Sequence, residues 1–170
     1  MTNVMVVGSG AREHAIVWAL SKSGVIGDVH AAPGNAGMAS LAILHPTADL
    51  SAKALLPILR AHSISLVVVG PEVPLVAGLA DDLLNEGLSV FGPGRAGAML
   101  EGSKLHAKKF LERHGIPTAQ WDLCSTVDEV RGALGKRRPP YIVKADGLAA
   151  GKGVVVASSM EEAMDAARSM

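Results

Sequence analysis

Tyr141-Ile142-Val143-Lys144-Ala145-Asp146-Gly147-Leu148-Ala149-Ala150-Gly151-Lys152-Gly153-Val154 reads as an apolar strand ending in a lysine, a glycine-rich loop holding a second lysine, and the start of another strand. Gly147, Gly151 and Gly153 let backbone N–H groups approach an anion with no side chain in the way, while Lys144 and Lys152 supply point charges. This is how a protein without a helix dipole would hold polyphosphate. A P-loop fits poorly, because it needs four residues between its glycines and a Ser or Thr after the lysine. Here three residues separate Gly147 from Gly151, and Gly153 follows Lys152. Val154-Val155-Val156-Ala157 is strand-like rather than helical, so the loop is expected to be a hairpin flap over a nucleotide.

Around this segment the composition is that of a soluble globular protein: 170 residues, 49% hydrophobic and 19% charged, enough for one full domain and part of a second. Sixteen Lys plus Arg balance sixteen Asp plus Glu, so no global field points to nucleic acid or an anionic membrane as partner. The longest apolar stretch, Leu66 to Ala80, is broken by Pro71, Glu72 and Pro74, and Arg12 and Glu13 follow only a short apolar run at the amino end. Neither a membrane span nor a secretory signal fits, and a cytoplasmic address is the expectation. Cys124, the single cysteine, has no partner for a disulfide and no Cys or His at metal spacing; it reads as a small hydrophobe in a reducing compartment.

The first hundred residues alternate strand and helix. Strands are expected at Asn3 to Val7, Val29 to Ala32, Ser65 to Val69 and Leu88 to Phe91, with helices at Ala11 to Ser23, Ser51 to Ala61 and Leu75 to Asn85. Such a series implies a parallel sheet covered on both faces, with Gly70-Pro71 and Gly92-Pro93 stopping strands at the rim where open α/β sheets bind ligands. From Glu101 the pattern changes. Ser103 to His114 is a charged helix capped by Ser103 and stopped by Gly115, and Ile116-Pro117 opens an extended link. The remainder gives a short strand at Gln120 to Leu123, a helix opened by the capping box Thr126-x-x-Glu129, the two strands about the glycine loop, and a last helix from Ser159-x-x-Glu162. The expected division is a substrate-binding domain over 1–100, a linker over 101–119 and an incomplete α+β flap subdomain over 120–170.

Gly8-Ser9-Gly10-Ala11-Arg12-Glu13-His14 starts like a dinucleotide fingerprint, but Glu13 stands where the third glycine should be. The second strand ends Ala31-Ala32-Pro33, without an acid for a ribose hydroxyl, which argues against NAD. Two readings stay open: a helix-start site for a smaller sugar phosphate, with Arg12 assisting, or a tight turn and nothing more.

Three further loops fall on the same rim: Pro33-Gly34-Asn35-Ala36-Gly37, Gly70-Pro71-Glu72-Val73-Pro74 and Phe91-Gly92-Pro93. With Gly-x-Gly-x-Arg-Glu-His-Ala at 8–15, Leu-Glu-Gly-Ser-Lys at 100–104, Ile-Pro-Thr-Ala at 116–119 and Lys-Ala-Asp-Gly-Leu-Ala-Ala-Gly-Lys-Gly-Val at 144–154, the whole chain resembles the amino-terminal portion of the phosphoribosylamine-glycine ligase family, ATP-grasp enzymes of purine biosynthesis.

The resemblance implies an α/β architecture: a Rossmann-like parallel-sheet domain followed by the first part of an ATP-grasp domain. It implies that Gly8, Gly10, Arg12, Glu13, Asn35, Gly37, Pro71 and Glu72 hold the phosphate and ribose of 5-phosphoribosylamine, Glu72 taking a ribose hydroxyl or the amine. Lys104 and Lys144 stand at the places of the two lysines that contact ATP phosphates, with Gly147, Gly151, Lys152 and Gly153 in the covering flap. The implied reaction is ATP-dependent joining of glycine to phosphoribosylamine through an acyl phosphate, assisted by Mg2+ or Mn2+, in an enzyme that is monomeric when complete. No covalent catalytic residue is expected, and His14, His62, His106 and His114 offer no general base. The last helix has no stop signal before Met170, so the expectation is a fragment that lacks the metal, adenine and glycine ligands, is inactive alone and exposes apolar surface after residue 120. A stand-alone sugar-phosphate-binding module, a subunit completed by a separate partner, and another ATP-grasp ligase are the alternatives.

Overall fold

A computed structural model describes residues 1–149 and 151–170; Ala150, inside the glycine-rich loop, lies outside the described residues. The chain forms two compact units, Met1–Met99 and Leu100–Met170.

The first unit is built on β1 (Thr2–Gly8), α1 (Ala11–Ser21), β2 (Ile26–Pro33), β3 (Ile43–Leu44), α2 (Ala52–Ala61), β4 (Ile64–Val69), α3 (Glu72–Ala77), α4 (Leu79–Asn85) and β5 (Ser89–Phe91). The five strands form one sheet in the order β3-β2-β1-β4-β5, every pairing parallel. The unbroken run Val4 to Val7 explains why β1 is central: all four side chains are fully buried, and a strand apolar on both sides needs cover on both faces. On one face Met5, Val7 and Val67 pack with Leu55 and Leu59 of α2 and Leu79 and Leu83 of α4. On the other, Val4, Val6, Ala31 and Val68 pack with Val17 of α1 and Met38. Because all strands run the same way, their carboxyl ends share one rim.

The second unit begins within α5 (Arg95–Gly102) and continues with α6 (Lys104–Arg113), α7 (Val127–Leu134), β6 (Tyr141–Lys144), β7 (Val154–Ala157) and α8 (Met160–Ser169). β6 and β7 form an antiparallel hairpin in which Tyr141 faces Ala157 and Lys144 faces Val154. Tyr141 and Ala157 on its inner face pack with Leu134 of α7 and with Ala163 and Met164 of α8. Both helix starts use the caps legible in the sequence. Thr126 Oγ1 accepts the Glu129 N–H and the Glu129 carboxylate accepts the Thr126 N–H, while Ser159 Oγ accepts the Glu162 N–H. Beyond residue 120 the outer face is apolar and exposed: Ile142 is 60% and Val156 62% accessible.

Four local expectations change. The 75–85 helix is two helices, because Gly78 at φ +100° breaks it in a left-handed turn while the apolar spacing continues across the break. A fifth strand, β3, is only two residues long, too short for any period to show. α5 was not expected; its glycines mask helical character, and it begins where the Arg95 N–H donates to the Asp81 carboxylate at 2.6 Å. Gln120 to Leu123 is not a strand among the described residues. Its side chains serve other ends: Asp122 pairs with Arg137 at 2.6 Å, and Trp121 Nε1 donates to Glu112 at 2.7 Å.

Candidate functional site

At the carboxyl rim of the parallel sheet lies a cleft of about 670 Å³. Gly8, Ser9, Gly10 and Glu13 line it from the β1–α1 turn, Thr47 to Ala52 from the segment entering α2, and Pro71, Val73 and Pro74 from the start of α3. Glu13 is the organising group. Its side chain is 5% exposed; Oε2 accepts the Gly10 N–H at 2.7 Å and Oε1 accepts from Arg12 Nε at 2.9 Å. The neighbouring glycines make room for it. A Cβ on Gly8 would lie 2.6 Å from Glu13 Cγ, one on Gly10 would lie 2.8 Å from Oε2, and one on Gly70 would run into the same carboxylate. The glycine pair is thus required by a buried acid as well as by any ligand. With the Gly10 donor occupied, the N–H groups of the first turn of α1 remain for an anion, at the positive end of the helix.

Asn35 shapes the same turn from outside. Its Nδ2 donates to Ser9 O and its Oδ1 accepts the Gly37 N–H, both at 2.9 Å. On the opposite wall Thr47 Oγ1 accepts the Asp49 N–H, Asp49 Oδ1 accepts the Ser51 N–H at 2.8 Å, and Ser51 Oγ caps α2 through Ala54. The Ser51 N–H bond holds the exposed Asp49 carboxyl below its ordinary value.

In the second unit the β6–β7 loop is held by two backbone bonds, Ala145 N–H to Gly153 O at 2.9 Å and Lys152 N–H to Ala149 O at 2.8 Å. Gly147 (φ +85°) and Gly151 (φ +79°) take the left-handed conformation that the turn requires. Lys144 and Lys152 are exposed. Lys144 shares the outer face of the hairpin with Ile142, Val154 and Val156, as the alternation of the strands dictates. Lys104 instead donates to the Gly147 carbonyl at 2.9 Å. Beside it, Asp146 accepts the Ser103 hydroxyl at 3.0 Å and the Leu105 N–H at 3.2 Å, while Ser103 Oγ accepts the His106 N–H. Two residues of the flap therefore complete the amino end of α6.

The sequence pattern of the phosphoribosylglycinamide synthetase N domain matches residues 2–101, and that of the ATP-grasp (A) domain of the same synthetase matches 102–170. The chain belongs to the phosphoribosylglycinamide synthetase family. A phosphoribosylamine–glycine ligase of Xanthomonas campestris pv. campestris is 47% identical over 171 residues, which is 98% of this chain and 39% of that relative. The crystal structure of the phosphoribosylamine–glycine ligase of Thermotoga maritima superposes with a TM-score of 0.76 at 38% identity, covering 96% of this chain and 38% of that one. The N5-carboxyaminoimidazole synthetase of Staphylococcus aureus, solved with ADP, shares the fold at a TM-score of 0.72 and 16% identity, over 96% of this chain and 43% of that one. The chain thus spans about two fifths of the family members it matches.

Of the eight residues expected at the sugar phosphate, Gly8, Gly10, Glu13 and Pro71 line the cleft; Arg12, Asn35, Gly37 and Glu72 do not. Arg12 is 62% exposed and leans on Glu13, and Gly37 packs so close to His14 that a Cβ there would lie 2.6 Å from its ring. The sequence reading missed Thr47, Asp49, Ser51 and Asp82 as lining residues. The first three sit in a Thr-x-Asp-x-Ser run whose spacing signals linked turns, but turn chemistry alone does not mark a cleft. Asp146 was also missed, although it lies within the decisive stretch. Burial first, then Asp122 and Glu129, push the Cys124 thiol up.

Glu13→Ala leaves the Gly10 donor without its acceptor and opens a hole in the turn. The expected cost is about 1–3 kcal/mol, seen as faster amide exchange in β1 and α1 with hairpin amides unchanged; unaltered β1 protection would contradict the role given to Glu13. A second prediction concerns Asp146. Desolvation opposes its charged form, but the N–H groups of Leu105, Gly147 and Lys104 and the Ser103 hydroxyl outweigh it and lower the carboxyl below 3.8. A depressed carboxyl contributes stability above its unfolded value and loses it as pH falls through its folded value. The Leu105 amide resonance should therefore titrate with a midpoint below 3.8, and Asp146→Asn should remove the inflection; a midpoint at or above that value would contradict the assignment.

Proposed function

We propose that the chain supplies the sugar-phosphate cleft and the nucleotide flap of a cytoplasmic ATP-dependent ligase joining glycine to 5-phosphoribosylamine, giving glycinamide ribonucleotide, ADP and phosphate. The observation that carries this reading is the β6–β7 hairpin, with Lys144 at a strand end and Lys152 in a loop turned by left-handed glycines, on a chain of this family. Family membership argues for the reaction, and the local geometry divides the labour.

In the cleft, the first-turn amides of α1 take the phosphate and Arg12 adds charge from the surface, while Thr47, Asp49, Ser51 and Asp82 offer oxygens to ribose hydroxyls. Glu13 holds the turn in the shape those amides need. On the hairpin, a base lying along Ile142, Val154 and Val156 would bury exposed apolar surface and bring its phosphates towards Lys144. Lys104 and Asp146 anchor the base of the flap, and the loop between Gly147 and Gly153 closes over the phosphates. Closure excludes water from an acyl phosphate formed when glycine's carboxylate attacks the γ-phosphoryl group of ATP; the amine of phosphoribosylamine then displaces phosphate to form the amide. Positioning and electrostatics carry this chemistry, with no protein nucleophile.

The family's Mg2+ or Mn2+ requires several oxygen ligands. The single cluster of three close ligating side chains among the described residues is made of imidazoles, and Asp146 is turned to cap α6. The described residues do not fit that ion.

That the cleft is lined entirely by the first unit favours a second reading, a sugar-phosphate-binding module or a subunit completed by a separate partner. The native polypeptide, captured from source cells with an antibody to residues 1–100, separates the two. The ligase reading predicts ADP release that requires both glycine and phosphoribosylamine, and a Lys144→Met version lowered by roughly 10²–10³ in kcat/KM for ATP. Ribose 5-phosphate binding without any such ADP release would overturn it in favour of the module.

A further inference from the structure

Three histidines far apart in sequence converge on one margin of the parallel sheet. His30 lies on β2, His45 directly follows β3, and His62 caps the carboxyl end of α2. Parallel pairing sets the first two: His30 is opposite Ile43, and the His45 N–H donates to Ala31 O at 2.9 Å. Asn3 fixes the third, its Nδ2 donating to His62 O and its Oδ1 accepting the Asp28 N–H, both at 3.0 Å. The ring centroids stand 5.1, 4.8 and 4.9 Å apart, a nearly equilateral triangle, and one nitrogen of each ring falls within 4.8 Å of the others.

As a purely structural cluster this arrangement is poor. His30 is 1% exposed, and its Nδ1 shares a single proton with His45 Nε2 across 2.9 Å. Whichever ring donates, His30 Nε2 is left buried with no partner among the described residues. A buried polar atom without a partner is rare in folded proteins and signals a group that belongs there. Three imidazoles converging on one point are a set of metal ligands rather than a set of ion-pair partners.

We propose that His30, His45 and His62 bind one divalent transition-metal ion of the zinc class, three imidazoles holding the ion and solvent completing its shell. Imidazole nitrogen suits zinc, nickel and copper and not the hard magnesium ion, so this site is distinct from any nucleotide-bound cation. Zinc–nitrogen bonds of about 2.0–2.1 Å set ligand atoms roughly 3.3 Å apart in a tetrahedron. The three nitrogens, now within 4.8 Å of one another, must adjust to that spacing, and the exposed His62 at a helix end is the member free to swing inward. None of the three lines the cleft, but the segment between His45 and His62 carries Thr47 to Ala52, which do. Clamping both ends of that segment to β2 makes the ion a brace for one wall of the cleft. The site rests on unit-one geometry alone and stands whether or not the ligase reading holds.

The test uses the untagged chain, stripped with a chelator and titrated with zinc against a chromophoric competitor, with cobalt as a spectroscopic substitute. The expected result is one equivalent of zinc per chain, a midpoint of thermal unfolding that rises with zinc but not with magnesium, and visible cobalt bands of a nitrogen-rich tetrahedral site. His45→Ala and His62→Ala, both outside the apolar cores, should each weaken zinc by at least about tenfold, whereas His106→Ala should leave it unchanged. Absence of stoichiometric binding by the wild-type chain, or binding that survives in the doubly substituted His45→Ala/His62→Ala chain, would overturn the proposal.

Discussion

The first unit depends on one buried carboxylate. Glu13 sits where a third glycine would stand in a dinucleotide-binding turn, and its side chain fills the space that Gly8, Gly10 and Gly70 vacate. A charge so buried is tolerated only because each oxygen is met by a donor, the Gly10 N–H on one side and Arg12 on the other. In consequence the turn can no longer admit a pyrophosphate in the dinucleotide manner. What it keeps is a short approach to the start of α1. Asn35 then ties Ser9 from outside and the Thr47–Ser51 turns face it across the cleft, so the rim geometry propagates from this one packing choice.

The second unit is built on a hairpin whose strands alternate: Tyr141 goes inward to the small core, Ile142 and Lys144 go outward. Lys104 and Lys144 consequently stand in unlike surroundings. Lys144 is exposed beside apolar strand surface, while Lys104 is occupied by the Gly147 carbonyl and helps hold the flap to the start of α6. Ser103 and Asp146 reinforce the same junction.

Much of this architecture is legible in the amino-acid sequence. The unbroken Val4–Val7 run demands a central parallel strand, the Thr126 and Ser159 caps mark true helix starts, and the spacing of Gly147, Gly151 and Gly153 demands a turn between strands. The features that sequence pattern does not reveal share a physical cause: they depend on tertiary neighbours. Gly78 breaks a helix whose apolar period never falters, Gln120 to Leu123 has strand character but no strand to pair with among the described residues, and β3 is too short to carry a period. The histidine cluster is hidden for the same reason, since spacings of fifteen and seventeen residues match no metal motif until β2 and β3 pair.

Recognition of a sugar phosphate by the rim cleft is the central claim. The most direct measurement is an amide-resolved NMR titration of the isotopically labelled chain with ribose 5-phosphate, a stable relative of the proposed substrate. Saturable shifts are predicted at the Gly8–Arg12 turn and at Thr47–Ser51, with the amides from Gly147 to Gly153 unmoved. An unchanged spectrum at the β1–α1 turn, or shifts confined to the hairpin, would contradict the claim.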